Sequence, residues 1–217
     1  NKFPYDTRGA YFFCDPTIHV VRRAFVEYPK GKLMLRKAEP EGLEFLRSSD
    51  FNSRFINTTV GPDGCLYVTD MYRGIIQDAP WFNHSNREFA RKTGVNKHIQ
   101  MGRIWRIKHL DHRPYQEKPQ MLAESTEALV RHLQNPIGWW RDTAQKLILL
   151  RSDREKAIPL LKGLFRFTQS PLPRIHVLWT LDGMKALTPE IKREALSDRS
   201  PELRRAMVQI LEPHLPQ

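Results

Sequence analysis

The sequence predicts a multidomain chain of mixed β and α class, in which strands come first and helices follow. We expect the last one to two blades of a β-propeller over residues 1–110, a linker over 111–120 and a HEAT-like α-solenoid over 121–217. Two observations predict this fold class. Apolar residues alternate by twos around Pro/Gly turns in the first half. In the second half, an apolar helical stripe recurs about every thirty residues, as in helical repeats.

Short apolar runs separated by turn residues open the chain. They are rich in β-branched and aromatic residues, which favour strands. Asp15-Pro16 and Pro29-Lys30-Gly31 stand between them as turn signals. The predicted strands lie in residues 9–14, 18–28 and 32–36. Such a series predicts an antiparallel meander.

The clearest local signal is Gly61-Pro62-Asp63-Gly64, between two β-rich runs. Proline presets φ, aspartate bonds nearby backbone and glycine accepts a positive φ, so this tetrapeptide predicts a hairpin. A second turn follows at residues 70–74. After a polar excursion, residues 102–107 alternate apolar and basic side chains, which predicts a further strand with one buried face. Four such runs suit one propeller blade.

The helical half shows a repeated pattern anchored on arginine. Arg141, Arg174 and Arg204 lie 33 and 30 residues apart, and each has apolar or ring residues at positions −1, +3 and +7. That spacing is one stripe of a helix. An irregular helical bundle is the alternative to the repeat. Partner helices are expected near 125–133, 154–166 and 189–196.

The predicted helix starts rest on two sequence patterns. A polar residue followed by proline suits an N-cap and the first helical position. This pattern occurs at Asn135-Pro136, Ser170-Pro171 and Ser200-Pro201. A capping box is predicted at residues 152–155.

Composition excludes several classes of site and partner. The net charge is +11, but the cations are scattered and no reader motif accompanies them, so we do not expect nucleic acid as a partner. No apolar run is long enough to span a membrane, and we expect no signal peptide in this chain. Cys14 and Cys65 are the only cysteines, which excludes a four-cysteine zinc site and a C-x-x-C-H haem attachment. Core packing and a disulfide are both open to them.

The segment GPDGCLYVTDMYRGIIQ, followed by GRIWRI, resembles a family of exported bacterial proteins. These are the membrane-bound dehydrogenase-like, PVC-type haem-binding proteins, whose propeller is similar to soluble quinoprotein sugar dehydrogenases. FLRSSDFNSRFINTTVGPDG also resembles them, although Phe55-Ile56-Asn57 departs from the family pattern. The resemblance implies HEAT-like helices after the propeller, a periplasmic or exported location, and pyrroloquinoline quinone, calcium and haem c in the full-length protein. No cofactor is evident in this chain itself.

Five residues are candidates to face a ligand: Asp50, Arg54, Asp70, Arg73 and His98. Arginine can hold a quinone carboxylate or a substrate oxygen with a forked pair of hydrogen bonds, and aspartate can orient a base or bind calcium. The competing interpretation is an Asp–Arg pair that pins a turn. No catalytic residue is assigned, and no histidine spacing suggests a metal site.

Two functions from different classes follow. One is a fragment of a quinoprotein-like dehydrogenase that oxidises a sugar or alcohol and passes electrons to a haem c segment outside this chain. Its partners would be the remaining propeller blades and the haem domain. The other is a non-catalytic propeller/HEAT scaffold, with a protein partner on the HEAT surface. A fold by itself does not decide between them.

Overall fold

The computed structural model of the chain describes residues 9–76, 80, 82–111 and 118–214. It divides into two compact units, Asn1–Tyr115 and Gln116–Gln217. We call them the β unit and the helical unit. The predicted linker over 111–120 falls mostly on residues 112–117, which lie outside the described residues.

The β unit is built of two small antiparallel sheets. Its elements are β1 Ala10–Asp15, β2 Val20–Glu27, β3 Met34–Lys37, β4 Leu46–Arg47, β5 Phe55–Val60, β6 Leu66–Asp70, α1 His84–Thr93 and β7 Arg103–Ile107. In the first sheet, β2 is the common partner and pairs with β1, β3 and β4. In the second sheet, the strand order is β5-β6-β7, and the helix α1 comes between β6 and β7 in the chain.

The hairpin predicted at Gly61–Gly64 is confirmed. It joins β5 to β6, with Val60 opposite Leu66. Gly64 has a φ of 79°, the left-handed conformation that glycine adopts without steric cost. The Asp63 carboxylate accepts hydrogen bonds from the Cys65 N–H at 3.0 Å and from the Tyr67 hydroxyl at 3.0 Å, which fixes the turn.

Both sheets contribute to one apolar core in the β unit. Its buried centre consists of Val21 from the first sheet and Phe55, Leu66 and Val68 from the second. Cys14 packs against this centre, and both cysteines are free thiols rather than a disulfide. Burial raises the pKa of both thiols, as expected for small buried side chains.

The predicted fold class, a partial β-propeller followed by a HEAT-like solenoid, is wrong. The described strands form one four-stranded and one three-stranded sheet, neither closed into a barrel, and no propeller blade is indicated among them. The physical reason is that alternation by twos specifies strands and their buried face, but not which strands pair. Here β2 alone pairs with three strands.

The helical unit contains six α-helices among the described residues. They are α2 Thr126–His132, α3 Gly138–Leu150, α4 Ala157–Phe167, α5 Pro171–Gly183, α6 Pro189–Leu196 and α7 Pro201–Leu211. Consecutive helices α2–α3, α4–α5 and α6–α7 pack on each other, and α5 also packs on α3 and α7. The fully buried side chains of the unit include Trp140, Phe165 and Met207.

The helix starts show which capping predictions were correct. Proline occupies the first helical position of α5 and α7, as predicted. The predicted start of α3 at Pro136 is wrong, because the helix begins two residues later and the Asn135 side chain instead accepts a hydrogen bond from the Ile137 N–H. The capping box at residues 152–155 is also wrong: the turn there has no side-chain cap.

The three aligned arginines each stand fourth in their helix. Arg141 and Arg204 donate to a backbone carbonyl six residues earlier, at Asn135 and Asp198. Arg174 is buried and pairs with the carboxylates of Asp198 and Glu194. The longest described helices have 13 residues, and none has the length and apolar character needed to cross a membrane.

Candidate functional site

Asp70, the last residue of β6, is the centre of a polar network in the β unit. Its side chain is fully buried. One carboxylate oxygen accepts from the backbone N–H groups of Arg54 at 2.7 Å and Tyr72 at 2.9 Å. The other accepts from Ser53 Oγ at 2.9 Å, Arg103 Nε at 3.0 Å and Trp105 Nε1 at 3.1 Å.

These donors set the charge state of Asp70. Burial alone would raise the pKa of this carboxyl group, but the hydrogen bonds from the Arg54 backbone, Trp105, Arg103 and Ser53 favour the ionised form, so its pKa lies below the usual value. A carboxylate has about four lone-pair positions. Five donors therefore leave it no capacity to bind a ligand.

Arg54 lies beside Asp70 at the beginning of β5 and is also buried. Its guanidinium donates to backbone carbonyls of two loops: Nη1 to Pro16 at 2.8 Å, Nη2 to Gly74 at 2.8 Å and Nε to Arg73 at 3.1 Å. Burial lowers the pKa of Arg54. The side chain ties the loop after β1 to the loop after β6, which is a structural role.

Arg103, the first residue of β7, connects the buried network to the surface. Its guanidinium lies 4.0 Å from the ring centre of Tyr72 and 4.6 Å from that of Trp105. It bonds Asp70 through Nε and lies 3.7 Å from Asp50 through Nη2. About 38% of the side chain remains exposed. An arginine stacked and bonded in this way has few conformations left to lose on binding.

Tyr72 and His19, which both contact this network, have an uncommon backbone conformation. Tyr72 has a φ of 47° and His19 a φ of 62°, both in the left-handed region. A non-glycine residue there costs about 1–3 kcal/mol and is usually held by its surroundings. Tyr72 is held by its N–H bond to Asp70, and His19 by a 2.6 Å contact of Nδ1 with the Ser53 carbonyl.

Asp50 and His98 lie at the border of the network. Asp50 accepts from the Asn52 N–H at 2.9 Å and hydrogen-bonds with the Tyr72 hydroxyl. Partial burial opposes ionisation of Asp50, but these bonds outweigh it and lower its pKa. The bond to Asp50 raises the pKa of Tyr72. His98 Nδ1 lies 2.9 Å from Asn52 Oδ1, which joins this histidine to the same network.

The structure thus brings all five candidate residues into one region, but with different exposure. Arg54 and Asp70 are buried and fully bonded, whereas Asp50 and His98 are partly exposed. Arg73 is exposed and enters the network only through its carbonyl oxygen. The salt bridge to Asp70 comes from Arg103 rather than from Arg73.

Sequence reasoning missed Tyr72, Arg103 and Trp105 as members of the site. The alternation in residues 102–107 showed that Arg103 and Trp105 share one face of β7, but nothing in the sequence indicated that Asp70 lies opposite Arg103. The sequence did signal Asp70 itself, as a carboxylate two residues before the turn residues Tyr72-Arg73-Gly74. Its partner lies 33 residues further along the chain.

The arrangement does not fit a calcium site at Asp70, because N–H and O–H donors occupy both oxygens and a guanidinium lies against one of them. Across the described ranges, no three His, Cys, Asp or Glu side chains are grouped to hold a metal ion. The exposed part of the network instead offers the rings of Tyr72 and Trp105 with Arg103 against them and Asp50 beside it. The exposed Arg73 follows Tyr72 in the chain. We call these five residues, Asp50, Tyr72, Arg73, Arg103 and Trp105, the Arg103 surface.

In comparisons with known proteins, the family described as "Domain of unknown function (DUF7133)" matches residues 1–111, about half of the chain. No curated protein and no solved structure matches the chain. The matched range contains every residue of the Arg103 surface.

Proposed function

Because the chain belongs to the DUF7133 family, whose domain of unknown function covers the β unit, we propose that this unit is a non-catalytic protein-binding module. Its binding site in this proposal is the Arg103 surface. The observation that carries the proposal is the placement of Arg103 between the rings of Tyr72 and Trp105, partly exposed and fixed from below by Asp70.

Residue type and rigidity both support a binding role. Trp, Tyr and Arg are the residues that most often dominate the energy of protein interfaces. A rigid side chain loses little conformational entropy on binding, and ordering a free one costs about 0.5–1.5 kcal/mol. Here the Asp70 network orders the surface before any partner arrives. Trp105 remains 43% exposed, although it donates a hydrogen bond to a fully buried carboxylate.

The buried groups of the network have a supporting role in this proposal. Asp70 and Arg54 are the residues whose chemistry could serve catalysis, but their polar atoms are directed at neighbouring protein groups. They position the surface from beneath. The proposal therefore assigns binding to the exposed residues and support to the buried ones.

Selection of random peptides displayed on phage against the full chain tests this proposal. Dissociation constants of the enriched peptides would be measured for the wild type and for Arg73→Glu. Arg73 is exposed and uses only its carbonyl oxygen in the network, so the variant should fold normally. We expect it to weaken binding at least tenfold.

Lys32→Glu is the matched control. Lys32 is also exposed and belongs to the β unit, but it lies two residues before β3 in the other sheet. The control should bind within twofold of the wild type. The proposal is wrong if no peptide is enriched, or if both charge reversals weaken binding equally.

The dehydrogenase function stays a prediction from the resemblance, and so do its exported location, its quinone and haem cofactors, and a protein partner on the helical unit. No contact of the described residues favours that function over binding. Its test is a titration of the full-length protein with pyrroloquinoline quinone, followed by dye-linked oxidation of sugars.

A further inference from the structure

His176 of α5 is a largely buried histidine at the contact between α5 and α3. Its side chain is 16% exposed. The ring atom Nδ1 lies 2.8 Å from Oε1 of Gln145, which belongs to α3. Because an amide oxygen only accepts hydrogen bonds, the neutral ring carries its proton on Nδ1. Nε2 is therefore the atom that acid would protonate.

The two helices pack closely beyond this hydrogen bond. A Cβ built on Gly183, seven residues after His176 on α5, would lie 3.0 Å from Leu149 Cδ2 on α3. Gln145 and Leu149 are one turn apart on α3, so the histidine ring and this glycine belong to the same helix–helix contact. A change in the charge of the ring therefore acts directly on the packing of α3 against α5.

The charges around His176 oppose a second cation there. Arg141 and Asp142, both on α3, are the charged groups that act on the ring, and no charged group of the described parts of α4 or α7, which also pack on α5, does so. Nε of Arg141 is buried and has no hydrogen-bond partner among the described residues. Asp142 Oδ1 lies 3.9 Å from His176 Nε2, but the Asp142 side chain is 63% exposed, and exposed charges interact weakly.

Burial of the ring and the nearby Arg141 guanidinium lower the pKa of His176, and Asp142 opposes them only in part. The folded chain therefore binds this proton less readily than the unfolded chain. The stabilisation that depends on neutral His176 is present above about pH 6.5 and is lost as the pH falls through the folded-state pKa. His132, in the same unit, differs because its Nε2 lies 2.7 Å from a Glu124 carboxylate oxygen and so has a counter-ion.

We propose that His176 makes the α3–α5 contact of the helical unit sensitive to mild acid. At neutral pH the uncharged ring bonds to Gln145 and holds the two helices together. When Nε2 takes up a proton, the ring becomes a second cation near Arg141 in a largely buried position, and the contact loosens. Histidine is the side chain whose charge ordinarily changes in this pH range. The inference concerns the helical unit and does not depend on the proposed binding role of the β unit.

Amide hydrogen exchange of the full chain at pH 7 and pH 5 tests the proposal, with the rates corrected for the intrinsic effect of pH on exchange. We expect the protection of α3 and α5 to fall about fivefold more in the wild type than in His176→Gln, because a glutamine amide cannot take up the proton. His109→Gln removes an exposed histidine of the β unit and should keep the full pH response. Equal pH responses of the wild type and His176→Gln would overturn the proposal.

Asp142→Asn gives a second test that leaves His176 itself in place. The NMR titration midpoint of the His176 ring should lie below about pH 6.5 in the wild type. Because Asp142 favours the protonated ring, its removal should move this midpoint to lower pH. Lys146→Gln is the matched control, since Lys146 is also exposed and lies one turn further along α3, and it should leave the midpoint unchanged. A wild-type midpoint at or above about pH 6.5, or equal midpoints in the two variants, would show that the proposal is wrong.

Discussion

At the scale of single residues, Asp70 connects several elements of the β unit. Its carboxylate joins β5, β7 and the turn after β6 through five hydrogen bonds. A buried charge is tolerated only when it is paired and fully hydrogen-bonded, and here both conditions are met. Removing the charge therefore affects every group that donates to it.

Replacing Asp70 with Asn tests this role. The amide keeps the shape but offers one acceptor oxygen, and its NH2 group would face Ser53, Arg103 and Trp105 donors. We expect the free energy of unfolding of the β unit to fall by about 3 kcal/mol at pH 7, measured by native-state hydrogen exchange of β5 and β6. Asp111→Asn, at a carboxylate that is 92% exposed, should change little. A loss below about 1 kcal/mol at Asp70 would contradict the argument.

The same variant gives a pH dependence with a definite sign. The pKa of Asp70 is lower in the folded chain than the ordinary value of about 3.9. Its stabilisation is therefore complete above about pH 4 and is lost as the pH falls through the folded-state pKa. The stability difference between wild type and Asp70→Asn should be constant from pH 7 to 5 and should shrink below pH 4. A difference that grew on acidification would refute this assignment.

At the scale of elements, glycines show where a helix has spare space and where it does not. Gly163 lies in the interior of α4, and a Cβ built there meets no atom within 4 Å. Gly183 ends α5, and a Cβ there would lie 3.0 Å from Leu149 Cδ2 on α3. The two residues differ in packing although both are helical.

Alanine at these two positions should therefore have different effects. Gly163→Ala should raise the free energy of unfolding of the helical unit by about 0.5–1 kcal/mol, because the unfolded chain loses entropy and nothing clashes. Gly183→Ala should give no gain or a loss, since Leu149 must move. Urea denaturation followed by circular dichroism measures both. Equal stabilisation by the two variants would show that α3 and α5 pack less tightly at Gly183 and Leu149 than the 3.0 Å distance implies.

At the scale of the whole molecule, each unit has its own buried core. In the helical unit the core includes Trp140, Ile148, Phe165, Leu178 and Met207. A chain segment with a separate core of this kind is expected to fold alone. The β unit has a smaller centre around Val21, Phe55, Leu66 and Val68, and relies more on the Asp70 network.

Residues 116–217 produced alone should therefore fold. We expect helical circular dichroism and a single cooperative thermal transition, in line with two-state behaviour of small domains. The variant Phe165→Ala, which removes a fully buried ring, should lower the free energy of unfolding by about 3–5 kcal/mol and serves as the sensitivity control. A segment without cooperative unfolding would show that its core is incomplete.

The sequence by itself determined those features that depend on neighbouring residues. Gly61–Gly64 forms the predicted hairpin because its turn chemistry acts within four residues. Helices α5 and α7 begin at the predicted Ser-Pro starts, and α4 and α6 lie close to the ranges expected for partner helices, although the predicted cap before α4 is absent. Arg54, Asp70 and His98 drew attention as polar residues next to strands and turns, and they do lie in one network.

Only the tertiary structure decided which strands share a sheet and which residues surround Asp70. Alternation by twos is the same in a propeller blade and in the two small sheets found here, so the pattern led to the wrong fold class. Arg103 and Trp105 reach Asp70 across 33 and 35 residues of chain. Such contacts depend on strand register over long sequence separations, and local preference carries no information about that register.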